Sequence, residues 1–233
     1  VKQDKEILQS IQNKIEEFLL DIPNLIHDSV PVGEDETFNE VIEEVGDIPN
    51  FSFDPLDHSF FIEKSDEGRG AKIAKSRFSA LSGDLAKLHR VLGQFMMDIH
   101  TNDHGYEELY VPYLINKTSL IGTGQLPKYE DDLFKLNGNT DLYLTPTAEV
   151  PVTNLHRDEI FKAEQLPIKY VCHSPCFRSE AGSYGKDTKG LIRQHQFDKV
   201  ELVKICHPDA SEDEHLKLIE DACKILELLE LPY

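Results

Sequence analysis

The sequence predicts an α+β fold in which an antiparallel sheet is flanked by helices. Three observations predict it. A strand, a polar glycine-containing loop and a second strand run from Cys176 to Glu201. Two patterns, Leu85 to Ile99 and Ser211 to Leu229, have the apolar spacing of helices that pack on a sheet by one face. A third pattern, at Leu8, Ile11, Ile15, Phe18, Ile22 and Leu25, steps by 3, 4, 3, 4 and 3, the narrow seam of a coiled coil.

Each element can be justified in chain order. Pro23 should stop or kink the first helix, because proline removes a backbone donor and clashes with the preceding turn. A seam like this needs a partner. It fits an amphipathic helix packed on its own domain, or one helix of a coiled coil. The narrow seam with polar flanks favours the coiled coil. Ile26 to Asp57 contains Pro31, Gly33, Gly46 and Pro49 and reads as an irregular linker with short strands. Ser76 to Leu81 reads as a short strand, and Ser82, Gly83 and Asp84 as a turn and helix start. Leu85, Leu88, Val91, Leu92, Phe95, Met96 and Ile99 mark one helix face, with Met96 and Met97 as core filling. Gly105 ends that helix. The strand Glu107 to Val111 then runs into Pro112, which suits a strand end where no ladder donor is required. Leu216, Ile219, Cys223, Leu226 and Leu229 should pack the last helix on the sheet, with its acidic face in water. The domain reading is residues 1–25 as a coiled-coil segment, 26–57 as a linker and 58–233 as the main domain.

Composition bounds the function. The chain has 233 residues, 39% hydrophobic and 29% charged, as expected of a soluble globular protein. No stretch is long and apolar enough to span a membrane. Val1 to Asp4 leads directly into a polar helix, with no signal-peptide pattern. Four cysteines in this length do not resemble a disulfide framework, so reduced thiols in a cytoplasm are expected. The net charge is −19, from 24 basic and 43 acidic residues, which argues that this stretch grips nucleic acid weakly by itself. It leaves room for chemistry that needs only a few placed cations. The acidic runs 33–44 and 210–230 read as solvated faces. Cys172, His173 and Cys176, with Cys206 and His207, do not have the paired spacing of a four-ligand zinc site. The cysteines read as small buried hydrophobes, and no metal site is expected from them. His100, His104 and His195 read as structural.

The hairpin carries the chemistry. Strand side chains alternate with period two. Arg193, His195, Phe197, Lys199 and Glu201 should therefore share one face. Gln194, Gln196, Asp198, Val200 and Leu202 should take the other, and Arg178 and Glu180 should share a face by the same step. Neither face is apolar before Val200, unlike a purely structural strand. An Arg fork suits carboxylate or phosphate oxygens. An aromatic ring can stack a base. A carboxylate accepts from amino and hydroxyl groups. Phe197 and Glu201 are separated by roughly 13 Å along a strand. That span could place a base at one end and an amino acid at the other. An exposed hairpin with charged cross-strand pairs fits the alternation equally well.

The specific residues decide between these readings. FRSE followed by GLIRQHQFDKVE, around a loop with Gly185, Asp187, Thr188 and Lys189, resembles motif 2 of the class II aminoacyl-tRNA synthetases in its seryl-tRNA synthetase version. LTPTAEVP (144–151) resembles the serine-binding TAE loop, and GTGQLPKYEDDLFKL (122–136) is a third match. The helix, strand and proline from Leu85 to Pro112 resemble motif 1, which forms the homodimer interface in that family. The resemblance implies a class II antiparallel sheet with a stub of the N-terminal coiled-coil tRNA-binding arm. It implies activation of L-serine with ATP and Mg²⁺ to seryl-adenylate, and transfer to tRNA(Ser). Arg178 would touch the α-phosphate and the serine carboxylate. Glu180 would accept from the adenine amino group, beside Ser179. Phe197 would stack on adenine, Arg193 would reach the γ-phosphate, and the Gln194 backbone would lie near the base. Glu201 with Thr147, Ala148 and Glu149 would hold serine through its ammonium and hydroxyl groups. The resemblance also has a departure. The Gly-rich strand and helix of motif 3, ending in an ATP-binding Arg, is not found before Tyr233. The chain is therefore expected to be a fragment, inactive alone, with its Mg²⁺ ligands mainly elsewhere. Two other classes remain: a synthetase-derived non-catalytic binding module, and an adenylating paralogue that loads a carrier protein. The coiled-coil stub disfavours the latter.

Overall fold

Helix α1 spans Lys2–Leu20 in the computed structural model, which describes residues 2–138, 140–181 and 189–233. The residue preceding a proline is pushed out of the helical region, and α1 ends shortly before Pro23. Ile22 and Leu25 thus lie past the helix, and the seam is shorter than its sequence spacing suggests. Leu8, Ile11, Ile15 and Phe18 remain on it, and none of the helix is buried. The expected short strands of the 26–57 linker are absent among the described residues. That stretch holds one 3₁₀ turn, Glu36–Phe38, capped by Asp35 accepting from the Thr37 N–H. Val45 and Tyr233 exchange two backbone hydrogen bonds of 2.7 and 3.0 Å. By its contacts the chain divides into one unit of Val1–Ile48 with Glu230–Tyr233, and a second of Pro49–Leu229.

The second unit carries the sheet. Helices α2 (His58–Asp66) and α3 (Arg69–Ile73) lead into it. Asp57 caps α2 by accepting from the Ser59 N–H. Residues 76–81 were expected to form a strand, but they form an extended strap outside any ladder. Side chains and loop carbonyls hold it instead. Asp66 accepts from the Ala80 N–H, and the Arg77 carbonyl accepts from the His195 N–H. Gly70 lets the Phe78 backbone pass close by, since a Cβ there would lie 2.2 Å from the Phe78 carbonyl oxygen.

Helix α4 spans Gly83–Asn102 and packs on the sheet through Gly93, Met97 and His100. The expected face at Leu88 and Val91 is exposed, because the buried stripe is turned toward Met97. Gly93 is needed there: a Cβ would come 2.8 Å from the His173 ring. Strand β1 (Glu107–Leu109) follows, then the hairpin of β2 (Leu114–Asn116) and β3 (Leu142–Leu144) with α5 (Lys117–Gly122) between them. Helix α6 (Glu149–Asn154) leads to β4 (Ile168–Phe177), which pairs along its whole length with β5 (Gln196–Ile205). The sheet order is β1-β4-β5. The β4–β5 pair is antiparallel as expected, whereas β1 pairs with β4 in parallel, so the sheet is mixed.

The β4–β5 ribbon is covered on both faces, which explains why it lacks a single apolar stripe. Val171, Val200 and Leu202 pack with Met97 and Tyr106 on the α4 side. Tyr170, Cys172, Val203 and Ile205 pack with Val111, Ala148 and Val152 on the other. A neighbouring core of Ile115, Leu120, Leu126, Leu133, Tyr143 and Val150 fixes the approach to the 145–149 segment.

Helix α7 (Ser211–Leu228) reverses one expectation. Leu216 and Ile219 are exposed, and its inner face carries Glu214, Asp221 and Ile225. Lys204 of β5, with a side chain only 5% exposed, lies 3.3 Å from both Glu214 and Asp221. Asp221 also accepts from the Tyr106 hydroxyl at 2.6 Å. A buried cation draws the two carboxylates inward, so part of the acidic run 210–230 is structural rather than solvated.

Candidate functional site

The site lies where β5 emerges beside the 145–149 segment. Strand alternation places Phe197, Lys199 and Glu201 on one face, in register opposite Cys176, Ser174 and Cys172. Arg193 and His195 precede β5, and Arg178 and Glu180 follow β4, so strand alternation does not orient these four. Local contacts do. The Arg178 N–H donates to the His195 carbonyl at 3.0 Å, and His195 Nδ1 donates back to the Arg178 carbonyl at 3.0 Å. The imidazole ring sits against Phe78 and Phe134, a structural position. Ser179 and Ala181 donate backbone N–H groups to the Asp132 carbonyl and side chain. The Ser179 hydroxyl donates to the Asp131 carbonyl, so this residue anchors the loop and does not line the cavity. Glu180 has φ +52°, a left-handed conformation that costs free energy in a non-glycine residue and recurs at functional sites. Its carboxylate accepts from Arg193 at 2.9 Å.

Two neighbouring cavities share Arg178, Glu180 and Arg193. The first, of about 490 Å³, is completed by Leu191, Ile192, Gln194, Phe197 and Asp198. The Arg178 guanidinium lies 5.2 Å from the centre of the Phe197 ring, a cation–π contact, and its Nε donates to the Pro146 carbonyl at 3.3 Å. The Arg193 Nε is shielded from solvent and has no hydrogen-bond partner among the described residues. Gln194 is buried. It accepts from Ser79 at 2.8 Å and donates to the Gly190 carbonyl at 2.9 Å, tying the strap to the hairpin.

The second cavity, of about 380 Å³, is lined on its far side by Gln125, Tyr129, Asp132, Thr147, Glu149 and Lys199. The Thr147 hydroxyl donates to Glu201 Oε2 at 2.7 Å and accepts from Lys199 Nζ at 2.7 Å and from the Glu149 N–H at 3.2 Å. Lys199 is also ion-paired to the same Glu201 oxygen. Glu201 stands behind Lys199 and Thr147 and is not among the lining residues. Ala148 is fully buried, with its methyl in the core beside Val152 and Cys172; of the TAE segment only Thr147 and Glu149 reach the cavity. Burial raises the Cys172 thiol to about 11 and pushes Cys176 up as well, which makes both inert core residues.

The structure thus gathers Arg178, Glu180, Arg193, Gln194, Phe197, Thr147 and Glu149 around two neighbouring cavities. It sets Glu201 one layer behind, and turns Ser179 and the Ala148 side chain away. Gly185, Asp187 and Thr188 lie outside the described residues. Lys199 was missed as a site residue, although its shared parity with Phe197 and Glu201 was a signal. Gln125, Tyr129 and Asp132 lie within the stretch 122–136, where only the fold could show which side chains face the cavity. Among the described residues no three His, Cys, Asp or Glu side chains converge as a metal cage, and no helix is long and apolar enough to cross a membrane.

Residues 133–233 match the tRNA synthetase class II core domain (G, H, P, S and T). The serine–tRNA ligase of Legionella pneumophila (strain Lens) is 56% identical over 236 residues, covering all of this chain and 55% of that protein. That of Dechloromonas aromatica is 56% identical over 238 residues, covering all of this chain and 56% of that protein. The chain therefore spans about half the length of the curated relatives it matches. The crystal structure of seryl-tRNA synthetase from Pyrococcus horikoshii complexed with ATP superposes with a TM-score of 0.90 at 32% identity, covering 98% of this chain and 56% of that one. The cytoplasmic serine–tRNA ligase of Naegleria fowleri in complex with AMP gives 0.89 at 28% identity, covering all of this chain and 56% of that one.

Proposed function

We propose, on the premise that this chain belongs to the seryl type of class II aminoacyl-tRNA synthetases, that the protein carrying it is a serine–tRNA ligase. It would activate L-serine with ATP to seryl-adenylate and pyrophosphate, then transfer the seryl group to tRNA(Ser) with release of AMP. The observation that carries this reading is a pair of neighbouring cavities, one with a cationic and aromatic wall at Arg178, Arg193 and Phe197, the other polar at Thr147, Glu149 and Lys199.

The residues suit a nucleotide triphosphate. Two guanidiniums offer donors to phosphate oxygens. Phe197 supplies a stacking face, and Glu180 an acceptor for an exocyclic amine. In the first step a serine carboxylate oxygen attacks the α-phosphorus and pyrophosphate leaves. Negative charge builds on the α-phosphoryl oxygens, where Arg178 is positioned to stabilise it without a covalent enzyme intermediate. Mg²⁺ would accompany ATP and offset phosphate charge; no acidic cage for it is formed among the described residues. Glu149 and the Thr147–Lys199–Glu201 cluster would hold serine.

The domain assignment joins this proposal: 1–25 as the end of the tRNA-binding arm, 26–57 as linker and 58–233 as part of the catalytic domain. The exposed Ile11, Ile15 and Phe18 on α1 are consistent with a helix that meets a partner. Exposed Leu88 and Val91 on α4 support a homodimer through Leu85 to Pro112. With a net charge of −19, tRNA contact by these residues alone would be weak. A cytoplasmic location is part of this reading. The test is ATP–pyrophosphate exchange by the protein carrying these residues. Exchange dependent on serine, and abolished by Arg178→Ala, is expected. Exchange with another amino acid would sink the specificity, and exchange without tRNA charging would point to loading of a carrier.

A further inference from the structure

We propose that Asp132 is a positioning residue, which holds Glu180 in the conformation that presents its carboxylate to the nucleotide. The inference rests on the reading of the two cavities as an aminoacyl-adenylate site. Its own basis is the way one residue brackets another. The Ser179 N–H donates to the Asp132 carbonyl at 2.9 Å, and the Ala181 N–H donates to Asp132 Oδ1 at 3.0 Å. The backbone and the side chain of Asp132 thus grip the chain on both sides of Glu180. The Ser179 hydroxyl adds a bond to the Asp131 carbonyl.

Glu180 needs such a grip. Its φ of +52° lies in the left-handed region, which crowds the Cβ of any residue but glycine. Such a conformation persists only where its surroundings over-determine it. The grip is itself well founded. Asp132 ends a 3₁₀ turn, Glu130–Asp132, and the next residue, Leu133, is buried in the core with Tyr143 and Val150. The Phe134 carbonyl then accepts from the Leu144 N–H at 2.9 Å, which ties the turn to β3. In this conformation the Glu180 carboxylate accepts from Arg193 at 2.9 Å and borders both cavities. Without the Oδ1 acceptor, residue 180 relaxes to negative φ and its side chain swings away. The nucleotide side then loses the acceptor that an exocyclic amine would meet.

The experiment combines amide hydrogen exchange with calorimetric titration of the chain. Asp132→Ala removes the Oδ1 acceptor, and Asp132→Asn keeps it. In the Ala variant the Ala181 amide should exchange about tenfold faster. The Phe177 amide, which donates to the Thr145 carbonyl, should be unchanged and reports an intact fold. The same variant should bind AMP about tenfold more weakly. Purine riboside 5′-monophosphate, which lacks the amino group, should bind the Ala variant and wild type within about twofold. Asp132→Asn should stay within about threefold of wild type for AMP. In a Glu180→Ala background, Asp132→Ala should cost AMP nothing further, because it acts through Glu180. An equal loss for both nucleotides, or a loss that persists in the Glu180→Ala background, overturns the assignment. So does unchanged AMP affinity in Asp132→Ala, or an Asn variant as weak as the Ala variant. Wild-type chain that binds neither nucleotide overturns the underlying site reading, and this inference with it.

Discussion

Lys204→Met tests the buried charge cluster beneath α7. The substitution keeps most of the volume and removes the cation. Lys204 lies 3.3 Å from Glu214 and 3.3 Å from Asp221. At an effective dielectric of about 20, each contact has a gross attraction of about 5 kcal/mol. Desolvation of all three groups offsets most of that attraction. Breaking a buried pair nevertheless costs about 3–5 kcal/mol, because a carboxylate is left without its partner. The carboxylate side chains are 12% and 19% exposed, and Glu214 keeps Lys217 at 2.8 Å. Water and Lys217 thus relieve part of the penalty, which lowers the expected loss to about 2–4 kcal/mol. Urea unfolding followed by circular dichroism would measure it. The triple variant Lys204→Met, Glu214→Gln, Asp221→Asn removes the whole cluster and should recover much of the loss. A single variant within about 0.5 kcal/mol of wild type would refute the account of why α7 turns its acids inward. So would a triple variant less stable than the single.

Three further outcomes are expected. Gly70→Ala places a Cβ 2.2 Å from the Phe78 carbonyl oxygen, which is backbone and cannot rotate away; it should cost about 1–3 kcal/mol and weaken AMP binding, because the strap holds Gln194. Cys172, with its thiol raised to about 11, should be alkylated at pH 8 about 100-fold more slowly in the folded chain than in urea, as peptide mass mapping would show. Burial, followed by the neighbouring His104, lowers the His100 pKa. The unfolded chain therefore takes up this proton first, and stability should fall as the pH drops below about 6.5. An unfolding midpoint flat between pH 7.5 and 5.5, in a protein whose His100→Gln variant behaves identically, would contradict that assignment.

Local signals and long-range geometry contributed differently. The helices, the β4–β5 ribbon and the proline-limited end of α1 were legible because period and backbone chemistry are local. The run from Arg178 to Glu201 and the 144–151 segment were legible as a site because they concentrate charged and aromatic groups where a buried strand would carry aliphatic ones. Alternation placed Phe197, Lys199 and Glu201 correctly, since they lie inside β5. It failed for Arg178, Glu180, Arg193 and His195, which lie in loops with no fixed period.

The sequence by itself determined most element types, the acidic balance and the residues that make up the candidate site. Only the tertiary structure decided which of them face the cavity. Thr147 proved hydrogen-bonded to Glu201, Lys199 and the Glu149 N–H, and the Ala148 methyl joined the core. It also decided that Glu214 and Asp221 turn inward while Leu216 and Ile219 face out. The physical reason is the same in each case. A side chain's role depends on hydrogen-bond and charge partners that are distant in sequence, such as Lys199 for Thr147 and Lys204 for Asp221, and no local pattern encodes those pairings.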